Sequence, residues 1–306
     1  MAAEGKEPSI LGFPCAPELG AAAHRKALAG HLRRCRDHAG IAPRQAARCL
    51  GTSTARITRI EKGQSALRPA EVGRLLDSYG ATDPLERTRV DELLCEADRP
   101  EPWQDYANVA PPPVRPLLGM EPAARRIISY EPQLVPGWLQ TAEYADTVIR
   151  AVYPTMPGRQ VAERVALRTQ RIGMLRRDEN PPVLLAVMDS EVLCRKIGTP
   201  GVMYRQIEHL LALLEELPFR IRLQIAQLSA GAAGAIGHPV VHLRFHTPDY
   251  LPDMVYLEQY EGAQYREKPA ETERYQAVLN NLCWSADPAG DTPGLLKKAL
   301  AFWRSA

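Results

Sequence analysis

The chain has 306 residues, 38 basic and 36 acidic, for a formal net charge of +2; 45% are hydrophobic and 6% aromatic. That length gives about two domains with room for real cores, and the composition is that of an ordinary globular protein. The six cysteines include no C-x-x-C pair, the start shows no secretion signal, and no run has the apolar length of a membrane span, so a zinc or redox centre, a disulfide framework and a membrane protein are set aside. A reduced cytoplasmic protein without metal or cofactor is expected.

Residues 1–20 hold three prolines and no helical period, and read as a flexible arm. Residues 21–99 read as five short helices. Leu28 and Leu32 mark the first, ending near Gly40. Ala46, Ala47 and Leu50 mark the second, stopped by Gly51. Ile57 and Ile60 mark the third, stopped by Gly63. Pro69 opens the fourth, with Val72, Leu75, Leu76 and Tyr79. Pro84 opens the fifth, with Val90, Leu93 and Leu94. The proline-dense stretch 100–116 reads as a stiff linker.

Residues 117–306 mix strands and helices. RRIISYEPQLVPGWLQ reads as strand and turn, and TAEYADTVIRAVY as a helix capped by Thr141. GRQVAERVALRTQRIGMLRRD is a long amphipathic helix, PPVLLAVMD a buried strand, and GVMYRQIEHLLALLEEL another helix. RIRLQIAQL, PVVHLRFH and DMVYLEQY alternate at period two, as half-buried strands do, and two helices close the chain. The expected fold class is α+β: an all-α helix-turn-helix domain and a larger mixed α/β domain.

Charge singles out the first domain. From Ala21 to Arg74 there are twelve basic and three acidic residues, a net +9 that leaves about −7 for the remainder. A basic segment on a mildly acidic body is the footprint of a polyanion-binding module. Within it, CLGTSTARITRIEKG has the make-up of a helix-turn-helix corner. Gly51 supplies a left-handed turn, Ala46 and Ala47 allow close packing, and Thr52 or Ser53 caps the next helix. With Ile57 and Ile60 turned inward, Ser53, Thr54, Ala55, Arg56, Thr58, Arg59 and Lys62 remain outside. Small residues at a helix start permit close approach to base edges, Arg binds guanine bidentately, and Thr or Ala touches the thymine methyl.

LRRCRDHAGIAPRQAARCLGTSTARITRIEKGQSALRP resembles the Xre/Cro-like helix-turn-helix regulators, above all in R-I-E-K-G. YEPQLVPGWLQTAEYA, VMDSEVLCRKIG, MYRQIEHLLAL and DMVYLEQYEG resemble the large C-terminal domain of many actinobacterial Xre-type regulators, some of them antitoxin-like and encoded beside a small partner protein. The resemblance implies base reading by Thr54, Ala55, Arg56 and Arg59 and a phosphate contact by Lys62. It departs at the second helix, where the family has a Thr or Ser cap followed by Gln or Glu. Here Ala42 and Pro43 stand instead, and Arg44 or Gln45 substitutes. A homodimer on a palindromic operator in double-stranded DNA is the implied assembly.

The second domain offers less. His238, His242 and His246 lie four apart on a strand, spanning roughly 13 Å, too far to share an ion, and read as a polar sheet face. Asp189 and Glu191 are two apart at a strand end without a nucleophile, and Cys194 beside Arg195 and Lys196 is incidental. SAGAAGAIG lacks the lysine of a phosphate loop and reads as a flexible loop. Tyr256, Glu258 and Tyr260 share one sheet face, and with Trp138 and Tyr144 they are the residues proposed to bind a small molecule or a small partner protein. The leading expectation is a DNA-binding transcriptional regulator, with no catalytic residue assigned. The alternative is a regulator-like fold recruited as an enzyme, such as a cyclase.

Overall fold

A computed structural model describes residues 8–101, 103–229, 237–247, 250–259 and 262–305. The chain divides into two units: Met1–Pro102 with Phe245–Pro252, and Trp103–Arg244 with Asp253–Ala306.

The first unit is helical: α1 (Ala21–His38), α2 (Pro43–Leu50), α3 (Thr54–Ile60), α4 (Pro69–Ser78) and α5 (Pro84–Ala97). Each helix turns its periodic apolar residues inward; Leu32, Ala46, Ile57, Ile60, Leu75, Val90 and Leu93 are all buried. Burial of such side chains contributes about 1.5–3 kcal/mol each, which outweighs the weak intrinsic stability of helices this short. Gly40, Gly51, Gly63 and Gly80 all have positive φ, and Gly51 at 63° makes the α2–α3 corner.

Two expectations are corrected in this unit. The arm read over residues 1–20 is packed from residue 8 onward, because Ile10, Phe13 and Leu19 are buried. Glu86 on α5 holds it, accepting the Ile10 N–H at 2.7 Å and the Ser9 hydroxyl. The unit also includes Phe245–Pro252, far away in sequence. The Arg34 guanidinium lies 4.1 Å from the Tyr250 ring centroid, and Phe13 meets the same ring edge-on at 6.3 Å. Gly30 makes room for this segment, since a Cβ there would stand 3.1 Å from the Tyr250 carbonyl oxygen.

The second unit is built on a six-stranded mixed sheet, in the order β3-β2-β1-β4-β5-β6. The strands are β1 (Arg126–Glu131), β2 (Val183–Asp189), β3 (Ile221–Ala226), β4 (Val240–Arg244), β5 (Met254–Gln259) and β6 (Gly262–Arg266). β1, β2 and β3 are parallel and the other pairings antiparallel. The unit opens with α6 (Arg115–Met120). The parallel crossovers carry α7 (Ala142–Val152), α8 (Gly158–Thr169) and α9 (Gly173–Arg176), then α10 (Glu191–Cys194) and α11 (Pro200–Glu216). α12 (Pro269–Ser285) and α13 (Thr292–Ser305) follow the last strand. Thr141 caps α7 as expected, accepting the Tyr144 N–H at 3.2 Å.

Alternation was the wrong inference for β3, β4 and β5, whose first residues are buried on both faces apart from Arg222. One face packs against Leu279 and Leu282 of α12 and the following Ala286 through Ile128, Tyr130, Val187, Val255 and Leu257. His242 is accordingly buried rather than on a polar sheet face, with Nε2 3.6 Å from Asp253. Asp189 and Glu191 part company: Asp189 accepts from the Tyr130 hydroxyl at 3.1 Å, while Glu191 starts α10.

The segment 100–116 is not an extended spacer. From Trp103 it folds in short turns, with Val109 and Ala110 buried, and Ala110 packs with Leu118, Leu167, Trp103, Tyr106 and Val114. Arg115 closes two of its carbonyls, Ala107 at 2.7 Å and Ala110 at 3.1 Å, and the Tyr265 hydroxyl donates to Pro113 at 2.6 Å. Proline fixes φ and removes donors, which suits non-repetitive turns closed by side chains as well as it suits a linker.

Candidate nucleic-acid interface

The corner at Cys49–Gly63 is built locally. Pro43 takes the first helical position of α2, where its missing N–H costs nothing. Ala42 has no capping oxygen, and Gln45 Oε1 reaches back to accept the Ala42 N–H at 2.8 Å. Of the two α3 caps considered, Ser53 is the one used: its Oγ accepts the Arg56 N–H at 3.2 Å. Thr58 Oγ1 donates to the Thr54 carbonyl at 3.2 Å.

The exposed face follows. Arg44, Gln45, Ser53, Thr54, Ala55, Thr58, Arg59 and Lys62 are exposed, and Arg56 is partly buried. Arg44, Arg48, Arg59 and Lys62 form no ion pair with a described residue. The nearby acids are instead committed inward. Glu61 takes Arg36 bidentately, at 2.5 Å from Nε and 3.0 Å from Nη2, with both side chains nearly sequestered. Arg36 also donates to the Ile41 carbonyl at 2.8 Å, tying α1 to the end of α3 and to the start of α2. The hydrogen bonds to Glu61 raise the Arg36 pKa above its ordinary range.

Glu71 is the second inward acid. It accepts Arg56 Nη1 at 2.7 Å and the Arg68 N–H at 3.0 Å, so it fixes Arg56 and starts α4 at once. The Arg56 hydrogen bond holds the Glu71 carboxyl below its usual range, against the opposing effect of burial. Sequence reasoning missed both acids as organisers, because their partners lie 25 and 15 residues away. The glutamate of R-I-E-K-G facing an arginine two helices earlier, on α1, was the available signal.

The residues proposed to bind a ligand in the second unit are distributed differently. Trp138, Tyr144 and Tyr256 are core residues, each under 5% exposed. The Tyr144 hydroxyl accepts the Val135 N–H, and burial pushes it up to about 12. Tyr256 packs on Tyr265, with 5.4 Å between ring centroids. Glu258 is exposed, and Tyr260 and most of SAGAAGAIG lie outside the described residues.

Residues 27–89 match the family model described as a helix-turn-helix domain. Residues 114–298, well over half the chain, match the domain of unknown function DUF5753. The chain belongs to the DUF5753 family. Comparison with the curated proteins and with the solved structures gives no match. The DUF5753 match spans β1 to β5 and runs on to α13; the helix-turn-helix match contains α2, α3, α4 and the corner between them. Among the described residues no helix is long and apolar enough to cross a membrane, and no group of His, Cys, Asp and Glu could hold a metal ion.

Proposed function

We propose that this DUF5753 protein is an Xre/Cro-like transcriptional regulator that reads duplex DNA with α3. One observation carries the reading: the exposed face of α2 and α3 holds unpaired cations and small hydroxylated residues, while Glu61 and Glu71 are turned inward onto arginines. A solvated helix face has no need to be cleared of carboxylates, whereas a phosphate-facing surface does. In this reading Thr54, Ala55 and Arg59 approach base edges from the helix start. Arg56 reads a base from the position where Glu71 holds it, and Arg44, Gln45, Arg48 and Lys62 set the register on phosphates. One helix-turn-helix reads few base pairs, so a homodimer on a palindromic operator supplies the remaining specificity.

The second unit would receive the signal, a small molecule or a small partner protein in the manner of an antitoxin-like regulator. Genome-wide footprinting of the tagged protein, followed by mobility shifts on the recovered duplexes, tests the reading. A recurrent two-fold sequence bound in preference to scrambled duplex is expected, and failure to enrich any sequence would overturn it.

A further inference from the structure

The second unit gathers a cluster of charged groups that the fold uses only in part. Tyr130, Val240 and Leu257 are in register, and β1 and β5 both run antiparallel to β4. Glu131 and Glu258, each the next residue along its strand, therefore stand on one sheet face, two strands and about 10 Å apart between Cα atoms. β1 connects outward to β2 and β3, and the chain then returns to β4 on its other side. The carboxyl end of β1 is thus the point where strand order reverses, the place where open sheets leave a crevice.

Two arginines from the connection between β1 and β2 come within electrostatic reach of Glu131. Arg171, in the turn Gln170–Ile172, forks onto buried Glu121 and lies 4.4 Å above the Trp138 ring. Gly137 lets it in, since a Cβ there would be 3.1 Å from Nη1. Arg168 on α8 donates to Gln140 Oε1 at 3.1 Å, and Gln140 is fixed by the Val135 carbonyl at 2.7 Å. Glu131, Glu258, Arg168 and Arg171 all lie within electrostatic reach of one another. Arg168 forms no ion pair with either carboxylate, although each is its natural partner.

Access is graded. Glu258 is exposed, Glu131, Arg168 and Arg171 are half-buried, and Ser129, on the Glu131 face of β1, is fully buried with no partner for its Oγ. Glu131 keeps part of its surface open, yet burial dominates its titration, and with the adjacent Glu258 pushes it up to about 8. A native fold seldom leaves two carboxylates, an arginine and a buried hydroxyl short of partners in one place without a use for them.

We infer that this charged cluster binds a small zwitterion, its ammonium between Glu131 and Glu258 and its carboxylate on the open donors of Arg168. The inference gives a chemistry to the signal site proposed above, and it stands or falls without DNA. Calorimetric titration of the full chain with the free α-amino acids, each alongside its N-acetyl and its carboxamide form, is the test. At least one free amino acid should bind saturably, with both blocked forms at least about tenfold weaker, as the loss of a charged hydrogen bond implies. Arg168→Lys and Glu258→Gln should each weaken binding by a similar factor while the melting temperature holds. Absence of binding by every free amino acid would overturn the inference. Equal binding of a carboxamide would remove Arg168 from the site, equal binding of an N-acetyl form would remove the carboxylates, and either refutes the two-ended ligand. Should a variant fail to fold, the blocked analogues on the unaltered protein still decide.

Discussion

The two units deploy charge in opposite ways. In the helical unit Glu61 and Glu71 fold inward onto Arg36 and Arg56, and the cations around α2 and α3 are left facing out. In the sheet unit acids and arginines converge near the carboxyl end of β1, and Arg168 forms no ion pair with Glu131 or Glu258. The first arrangement suits an extended polyanion that neutralises many cations at once. The second suits a small ligand that satisfies a few groups at close range.

The sharpest way to break the comparison is to undo the inward acid of the helical unit. Arg36→Met leaves Glu61 nearly sequestered without its partner, which should cost about 3–5 kcal/mol. Denaturant unfolding would show this as an early loss of the helical unit. A loss below about 1 kcal/mol would mean that the Arg36–Glu61 pair organises nothing.

The charged cluster gives a pH signature of its own. The folded pKa of Glu131, about 8, lies above that of an unfolded glutamate. The folded state therefore holds the proton longer, and Glu131 makes stability fall as pH rises between about 4.5 and 8, by up to about 1.4 kcal/mol per unit. Glu71 has the opposite sign: its depressed folded pKa gives stability present above the ordinary glutamate range and lost as pH falls through the folded value. Melting curves across that window should flatten in Glu131→Gln. An unchanged slope would show that Glu131 does not titrate there.

Smaller effects separate base reading from phosphate contact. Arg59→Ala and Arg56→Ala should each cost about 1–3 kcal/mol at one base position of the operator, whereas Lys62→Ala should weaken all sequences alike. A panel of single-base operator changes distinguishes the two patterns, and uniform losses from both arginine variants would make them phosphate contacts.

The units also differ in how far the sequence could be read. The α2–α3 corner was legible because its parts are contiguous: Gly51, Ser53, Ile57 and Ile60 each do what their residue type favours at that spacing. The charged cluster was not, since Glu121, Glu131, Arg168, Arg171 and Glu258 come together only through strand order and register. Of the residues singled out there, Glu258 belongs to the charged cluster, while Trp138, Tyr144 and Tyr256 are buried framework. Aromatics in an aromatic-poor chain draw attention as pocket walls, but ring area is first of all core material. The arm and the linker were misjudged for a related reason. Prolines announce irregular backbone, and whether it packs depends on distant partners such as Glu86 and Tyr265.

The central claim, that the outward cations of the helical unit meet DNA phosphates, is tested most directly by the salt dependence of binding to the footprinted duplex. Each neutralised phosphate contributes about −0.9 to the slope of log affinity against log salt concentration, so Arg44, Arg48 and Lys62 together should give about −2.7 per helical unit. Replacing Lys62 with alanine should make that slope shallower by about one contact. A slope near zero, or one that the Lys62 substitution leaves unchanged, would contradict the account.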